Sequence, residues 1–235
     1  MVTFNNDIDV LNYALTLEQF EAALYKVLIG ANLLTGAEAQ YLATFGAQEQ
    51  THVDTLTQVI KQLGGTPVTQ PGSYNFAAAG PITNRDQLVA VLAMVEDLGA
   101  SAYLGAAGFI KDPMLLTAAV TIHAVEAEHA AIFRDLAGKV AAPDVVAKGT
   151  APDDVIKAVT PFLQAPTGAP ATGSPSSGSP ATSPPAGSQG PVGSGTGSSS
   201  SSGSGGSTPT TSTAGQNGGA NAGTSPYFIR RLGDG

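Results

Sequence analysis

The 235-residue sequence contains no cysteine and no tryptophan, and only 12% of its residues are charged. The absence of cysteine excludes a disulfide framework, thiolate metal sites and a cysteine nucleophile, so a metal site would have to use carboxylates and imidazoles. No stretch approaches the roughly 18 uninterrupted apolar residues of a membrane-spanning helix. The first ten residues lack the basic and apolar segments of a signal peptide, so we expect a cytoplasmic protein by default, with an exported form as the alternative.

Positive charge is also scarce. Up to Lys157 the chain has 17 Asp and Glu against 8 Lys and Arg, a net charge of −9. This balance argues against nucleic-acid binding, because that requires cations that neutralise phosphates. Metal cations suit a chain of this charge better.

The composition changes abruptly towards the C-terminus. Between Lys157 and Arg230 there is no charged residue, and Val192 is the only apolar residue larger than Ala or Pro in residues 165–226. Such a segment cannot bury enough surface to offset the entropy lost on ordering, so we predict that it is disordered.

Three regions follow from this division. We predict one folded domain over residues 1–163, a linker rich in Ser, Gly, Pro, Thr and Ala over 164–226, and a short peptide over 227–235. The peptide combines aromatic, aliphatic and basic residues, so docking to a partner is one hypothesis for its role. A homodimer is a second hypothesis of association.

Start and stop signals predict four long helices, over about residues 6–29, 35–63, 83–110 and 112–140, and a short one over residues 152–163. Thr35 and Glu38 have the spacing of a capping box, in which each side chain bonds the backbone N–H of the other residue. Two short connections require antiparallel neighbours, whereas the long link over residues 66–82 can run the length of a helix. The sequence thus predicts an all-α four-helix bundle with one long crossover.

Each long helix carries an apolar seam with alternating spacings of three and four residues, and polar residues interrupt each seam near its middle. The interrupting residues are Glu18 on the first helix, Glu49 and His52 on the second, Glu96 on the third, and Glu126 and His129 on the fourth. No Lys or Arg lies on the seams, and unpaired buried carboxylates are strongly destabilising. Two divalent cations would balance four carboxylates, and neutral imidazoles would add ligands without charge. We therefore predict a two-metal site.

The spacing also indicates an internal repeat. The two seam carboxylates of the first hairpin are 31 residues apart and those of the second are 30 apart, and Tyr25 and Tyr103 each follow the first carboxylate of their hairpin by seven residues. Glu21 lies on another seam-spaced row and is the alternative to Glu18. The matched seven-residue interval favours Glu18, with Glu21 flanking the site. His123 lies one residue off the fourth seam, so we expect it to be partly exposed.

A Glu on helix one, Glu-x-x-His on helix two, a Glu on helix three and Glu-x-x-His on helix four resemble the ligand set of the ferritin-like di-iron carboxylate proteins. The run from Leu11 to Tyr25 is most similar to the branch of desiccation-related and stress-associated ferritin-like proteins, and the resemblance covers about residues 5–163. It implies the following metal ligands: Glu18, Glu49, His52, Glu96, Glu126 and His129. It also implies Tyr25 and Tyr103 as hydrogen-bond partners behind them.

The same resemblance implies two Fe ions, with Mn as the alternative metal, and reaction with O2 or peroxide to oxidise Fe(II) or remove peroxide under stress. The alternative is a non-catalytic stress or desiccation-related protein that binds metal structurally or sequesters it. One departure concerns the support of the ligands. Some relatives, such as bacterioferritins, place Asp before each Glu-x-x-His to orient the opposite imidazole, whereas this chain has Gln48 and Val125 there.

Overall fold

The computed structural model describes residues 1–163, so the predictions for the linker over 164–226 and the peptide over 227–235 lie outside the described residues. Within the described part the chain is helical, with no β-strand. The helices are α1 (Asp7–Ala31), α2 (Gly36–Gln62), α3 (Arg85–Ala106), α4 (Pro113–Leu136) and α5 (Pro152–Leu163). Short 3-10 turns lie at Phe76–Ala79 and Ala107–Phe109. The predicted all-α class is confirmed.

The four long helices form two hairpins. α1 packs mainly against α2, and α3 packs mainly against α4. Residues 63–84 connect the hairpins, and the start of this segment follows α1. The Asn12 side chain donates to the Thr66 carbonyl over 3.1 Å and accepts from the Val68 N–H over 2.7 Å. Gln19 donates to the Val68 carbonyl over 3.1 Å. This segment is the long crossover that the sequence predicts.

The crossover and α5 also cover the outer face of α1. Phe20 packs against Tyr74, Phe76 and Phe162, with ring centroids 6.0, 6.1 and 5.1 Å away. The N–H of Asn75 donates to the Phe162 carbonyl over 2.7 Å. As a result, α1 is buried on more than the single stripe that faces the other long helices.

Side-chain caps fix the starts of three helices. Asn6, Asn84 and Asp112 each accept a hydrogen bond from a backbone N–H in the first turn of α1, α3 and α4. α3 begins at Arg85, two residues after the predicted start of this helix at about residue 83. α4 ends at Leu136, four residues before its predicted end, because the chain turns away beyond this residue through Gly138 with a φ of 70°.

The capping box predicted for α2 is wrong. Thr35 makes no capping hydrogen bond, and Glu38 instead accepts hydrogen bonds from the guanidinium of Arg85, the shortest of them 2.5 Å long. A charged guanidinium fork binds a carboxylate more strongly than a neutral backbone N–H does. The contact joins the start of α2 to the start of α3, and so links the two hairpins.

The segment Arg85–Phe109, which contains α3, is the one described helix that is long and apolar enough to cross a membrane by length and composition. Of its most apolar window, 56% is buried inside the protein. That is the expected composition of a core helix in a bundle, and it is not evidence of a membrane span.

Candidate metal centre

Each of the four long helices contributes a glutamate to the centre of the bundle. Glu18, Glu49, Glu96 and Glu126 are all 0% exposed. His129 is 1% exposed and His52 is 8% exposed. These residues lie in the interiors of their helices, where the apolar seams place them, and not at helix ends where water could reach them.

The six side chains form two overlapping groups of four. In each group the potential ligand atoms all lie within 4.8 Å of one another. One group contains Glu18, Glu49, His52 and Glu126, and the other contains Glu49, Glu96, Glu126 and His129. Glu49 and Glu126 belong to both groups. Two adjacent cation positions that share two carboxylates are the arrangement that this geometry can provide.

Both histidines direct the same ring nitrogen, Nδ1, into the cluster. Nδ1 of His52 lies 3.1 Å from Glu18 Oε2, 3.2 Å from Glu126 Oε1 and 3.4 Å from Glu49 Oε2. Nδ1 of His129 lies 2.9 Å from Glu49 Oε1. This contact is close but does not form a hydrogen bond. His129 Nδ1 and both Glu49 oxygens have no hydrogen-bond partner among the described residues.

Two buried tyrosines support the outer carboxylates, and each does so across the hairpin boundary. The Tyr25 hydroxyl on α1 donates to Glu96 Oε1 on α3. The Tyr103 hydroxyl on α3 donates to Glu18 Oε1 on α1 over 2.5 Å. The exchange is reciprocal, as the two-hairpin repeat in the sequence would produce. In each carboxylate one oxygen is held by a tyrosine, which leaves the other free to face the centre.

Gln48 orients one of the two imidazoles. Its Oε1 lies 2.8 Å from Nε2 of His129, so an amide takes the place that Asp occupies in some relatives. Because the amide oxygen can only accept, Nε2 carries the proton and Nδ1 presents its lone pair to the cluster when the ring is neutral. Val125, at the equivalent position on α4, has no polar side chain, and no bond to Nε2 of His52 occurs within residues 1–163. The two imidazoles are therefore held differently.

Without metal, the crowded carboxylates change the proton affinities of the cluster. Burial raises the pKa of Glu49 to about 7, although His129 and His52 oppose the shift. Burial, followed by Glu49 and Glu18, raises the pKa of Glu126 well above its ordinary range. For His129, burial lowers the pKa, but the neighbouring carboxylates of Glu49 and Glu96 outweigh it and raise the pKa to about 10. Protons thus take the place of missing positive charge.

Buried polar atoms without a hydrogen-bond partner show whether metal ions fit this site. Six buried atoms of the cluster have no hydrogen-bond partner within the described residues, namely both oxygens of Glu49, both of Glu126, Oε2 of Glu96 and Nδ1 of His129. Buried polar atoms are normally paired, so a set of this size in one place needs an explanation. No Lys or Arg is buried in the described part of the chain. Two divalent cations would supply both the missing charge and the missing partners.

The other residues considered as site candidates lie outside both groups. His123 is partly buried, and its Nδ1 lies 3.0 Å from the carbonyl oxygen of Ala100, away from the cluster. Glu21 is 3% exposed and belongs to neither group of four. Sequence spacing placed Glu21 on a second seam-spaced row of α1 and ranked it as a residue that flanks the site. Comparison of the two hairpins adds a further signal, because the position equivalent to Glu21 on α3 is Gly99.

The fold and the site define a class: an all-α bundle with a buried cluster of glutamates and histidines that is compatible with dinuclear metal binding. Residues 6–139 match the ferritin-like domain family. Because this match covers more than half of the 235 residues, the chain belongs to the ferritin-like domain family. A search of curated proteins finds no match.

Proposed function

We propose that the protein binds two divalent metal ions and uses them in stress protection, to oxidise Fe(II) with O2 or to reduce peroxide with electrons from Fe(II). The observation that carries this proposal is the sharing of Glu49 and Glu126 between two groups of potential ligands. The residues that would hold the ions are Glu18, Glu49, His52, Glu96, Glu126 and His129. Iron is the proposed metal and manganese the alternative, because carboxylate and imidazole donors suit both.

The bound metal pair would supply the redox chemistry, as cofactors generally do, and the protein supplies position and environment. Tyr25 and Tyr103 fix one oxygen of each outer carboxylate, which restrains the carboxylates before metal arrives. Gln48 fixes the proton of His129 on the nitrogen that points away from the cluster. The bundle excludes water from the carboxylates. His52, at 8% exposure, marks the side on which the cluster comes closest to solvent.

A second candidate function is metal binding without turnover, in a stress or desiccation-related protein that sequesters the ions or is stabilised by them. The observation that favours it is the closure of the site, since all four glutamates are 0% exposed. A reaction with peroxide or with successive Fe(II) ions requires access to the site. Structural metal sites, in contrast, are typically closed.

Steady-state kinetics on metal-loaded protein separate the two candidates. Fe(II) oxidation and peroxide consumption are measured for the wild type, for Glu49→Gln at a shared carboxylate and for Glu128→Gln on the exposed surface of α4. If the protein is redox-active, the wild type and the Glu128 variant should complete many turnovers, and the Glu49 variant should react only at background rates. Binding of two ions with no turnover would favour the second candidate. Failure to bind ions would contradict both.

A further inference from the structure

The two hairpins of the bundle differ at one position next to the site. Glu18 and Tyr25 on α1 correspond to Glu96 and Tyr103 on α3, with the same seven-residue interval. Three residues after the first glutamate, α1 has Glu21. At the equivalent place α3 has a glycine, so the repeat is broken where its residues approach the cluster.

Glu21 is buried without a partner. It is 3% exposed, and its Oε2 has no hydrogen-bond partner within residues 1–163. The described residues contain no buried Lys or Arg that could pair with it. A carboxylate in this position costs free energy unless a cation compensates for it. The Glu21 carboxylate faces α3 at Gly99, inside the bundle, so it is shielded from water, but packing alone does not explain why a carboxylate is there.

The backbone of Gly99 provides the space that Glu21 occupies. A methyl group added at Gly99 would lie 2.5 Å from Glu21 Oε1 and 2.8 Å from Glu126 Oε2. The separation of these two carboxylate oxygens is therefore no larger than the sum of those distances. Any other residue on α3 at this point would have to displace one carboxylate or both. Because Gly99 on α3 has no side chain, there is room for the additional carboxylate of Glu21 on α1. This carboxylate lies beside Glu126, which both groups of ligands share.

We propose that Glu21 is a fifth carboxylate of the metal centre, which reaches the ions through the gap left by Gly99. The inference rests on the dinuclear site proposed above and adds one ligand to it. Because Glu21 is outside both groups of four, its side chain must rotate towards the ions when they bind.

Co(II) binding tests this role without reference to turnover, because the visible absorption of Co(II) changes with its coordination. Metal-free wild type, Glu21→Gln and Glu128→Gln are titrated with Co(II), and the isotherm, the spectrum and the gain in Tm are recorded. The Glu21 variant should still bind two ions, with at least one affinity weakened by about tenfold or more and with an altered spectrum. The exposed Glu128 control should match the wild type.

Thermal stability gives a second readout that a purely structural role would not produce. Glu21→Gln removes a buried carboxylate that has no partner, so the metal-free variant should have a higher Tm than metal-free wild type, while its gain in Tm on binding Co(II) should be smaller. Gly99→Ala adds a methyl group that pushes the carboxylates of Glu21 and Glu126 away from the α3 backbone. This variant should weaken Co(II) binding at least as much as Glu21→Gln.

The outcomes separate this inference from the proposed function. If the wild type binds two Co(II) ions and Glu21→Gln has the same isotherm, spectrum and Tm gain, Glu21 is not a ligand and the dinuclear site stands without it. If the wild type binds no Co(II), both the site and the fifth carboxylate are wrong.

Discussion

In the metal-free protein, the free energy of unfolding should fall as the pH rises from about 5 to 8. The metal-free cluster contains carboxyl groups that burial holds protonated. Burial raises the pKa of Glu49 from 4.5 to about 7 and raises those of Glu126 and Glu21 well above 4.5. A carboxyl group with a higher pKa in the folded protein than in the unfolded chain favours the folded protein while it is protonated.

Glu49 alone gives a magnitude. Its contribution is fully present below its ordinary pKa of 4.5 and is lost as the pH rises through about 7. At about 1.4 kcal/mol for each pKa unit, this loss is roughly 3 kcal/mol. His129 acts in the same direction, because its pKa is raised from 6.5 to about 10 and its contribution declines above pH 6.5.

Glu18 does not cancel this trend. Burial would raise the pKa of Glu18, but His52 outweighs that effect and lowers it below 4.5. A lowered pKa contributes stability that is present above the ordinary value and is lost only as the pH falls through the lowered one. The contribution of Glu18 is therefore nearly constant between about pH 5 and 8.

Urea unfolding followed by circular dichroism, with chelator present and ionic strength fixed, measures the effect at about pH 5, 6, 7 and 8. The Glu49→Gln variant is the control, since it keeps the volume and removes the titration. Its loss over this range should be smaller by about 2–3 kcal/mol, because part of the Glu49 contribution is already gone at pH 5. The metal-loaded protein should show the opposite trend, because protons compete with metal ions for the carboxylates. A metal-free wild type with constant or rising stability over this range would refute the reasoning.

Three further predictions concern single residues. Glu18→Ala and Glu96→Ala should each lose at least one of two bound ions, measured by elemental analysis, and reduce Fe(II) oxidation to background. Gln48→Leu should weaken metal binding by about tenfold or more, measured by calorimetry, because His129 loses the acceptor that fixes its proton, and Gln48→Asp should preserve affinity. Phe133→Ala should lower the free energy of unfolding by about 3–5 kcal/mol in urea, because this side chain is fully buried.

Each of these predictions has a contradicting result. Full metal content in either alanine variant would remove that carboxylate from the proposed ligands. An unchanged calorimetric isotherm for Gln48→Leu would show that the bond to His129 does not support the metal site. A loss below about 1 kcal/mol for Phe133→Ala would mean that the bundle repacks around the gap, contrary to the usual response of a close-packed core.

The bundle could be predicted from the sequence because its signals are local. The predicted start of the fourth helix at about residue 112 is confirmed, since Asp112 caps α4 and Pro113 stands in its first turn. The candidate ligands could also be picked out, because a carboxylate in the middle of an apolar seam is conspicuous. The capping box failed because Arg85, 47 residues further along the chain, takes the carboxylate of Glu38, and a local pattern contains no information about that competitor.

The surroundings of the ligands depend on how the helices face one another. The bond from Gln48 to His129 joins residues 81 positions apart, and the sequence shows only that an amide stands where some relatives have a carboxylate. Seam spacing placed Glu18 and Glu21 on separate rows of α1 and favoured one of them, whereas both are buried in the structure. α1 has a wider buried surface, since Leu17, Phe20 and Leu24 are each 3% exposed or less.

Diffraction from metal-loaded crystals, with data collected at the absorption edge of iron or manganese, tests the dinuclear site most directly. The predicted result is two anomalous peaks per chain about 3.5–4 Å apart, both within bonding distance of Glu49 and Glu126, as in other two-metal carboxylate sites. A difference map without peaks between α1, α2, α3 and α4, or with a single ion that does not contact both shared glutamates, would contradict it.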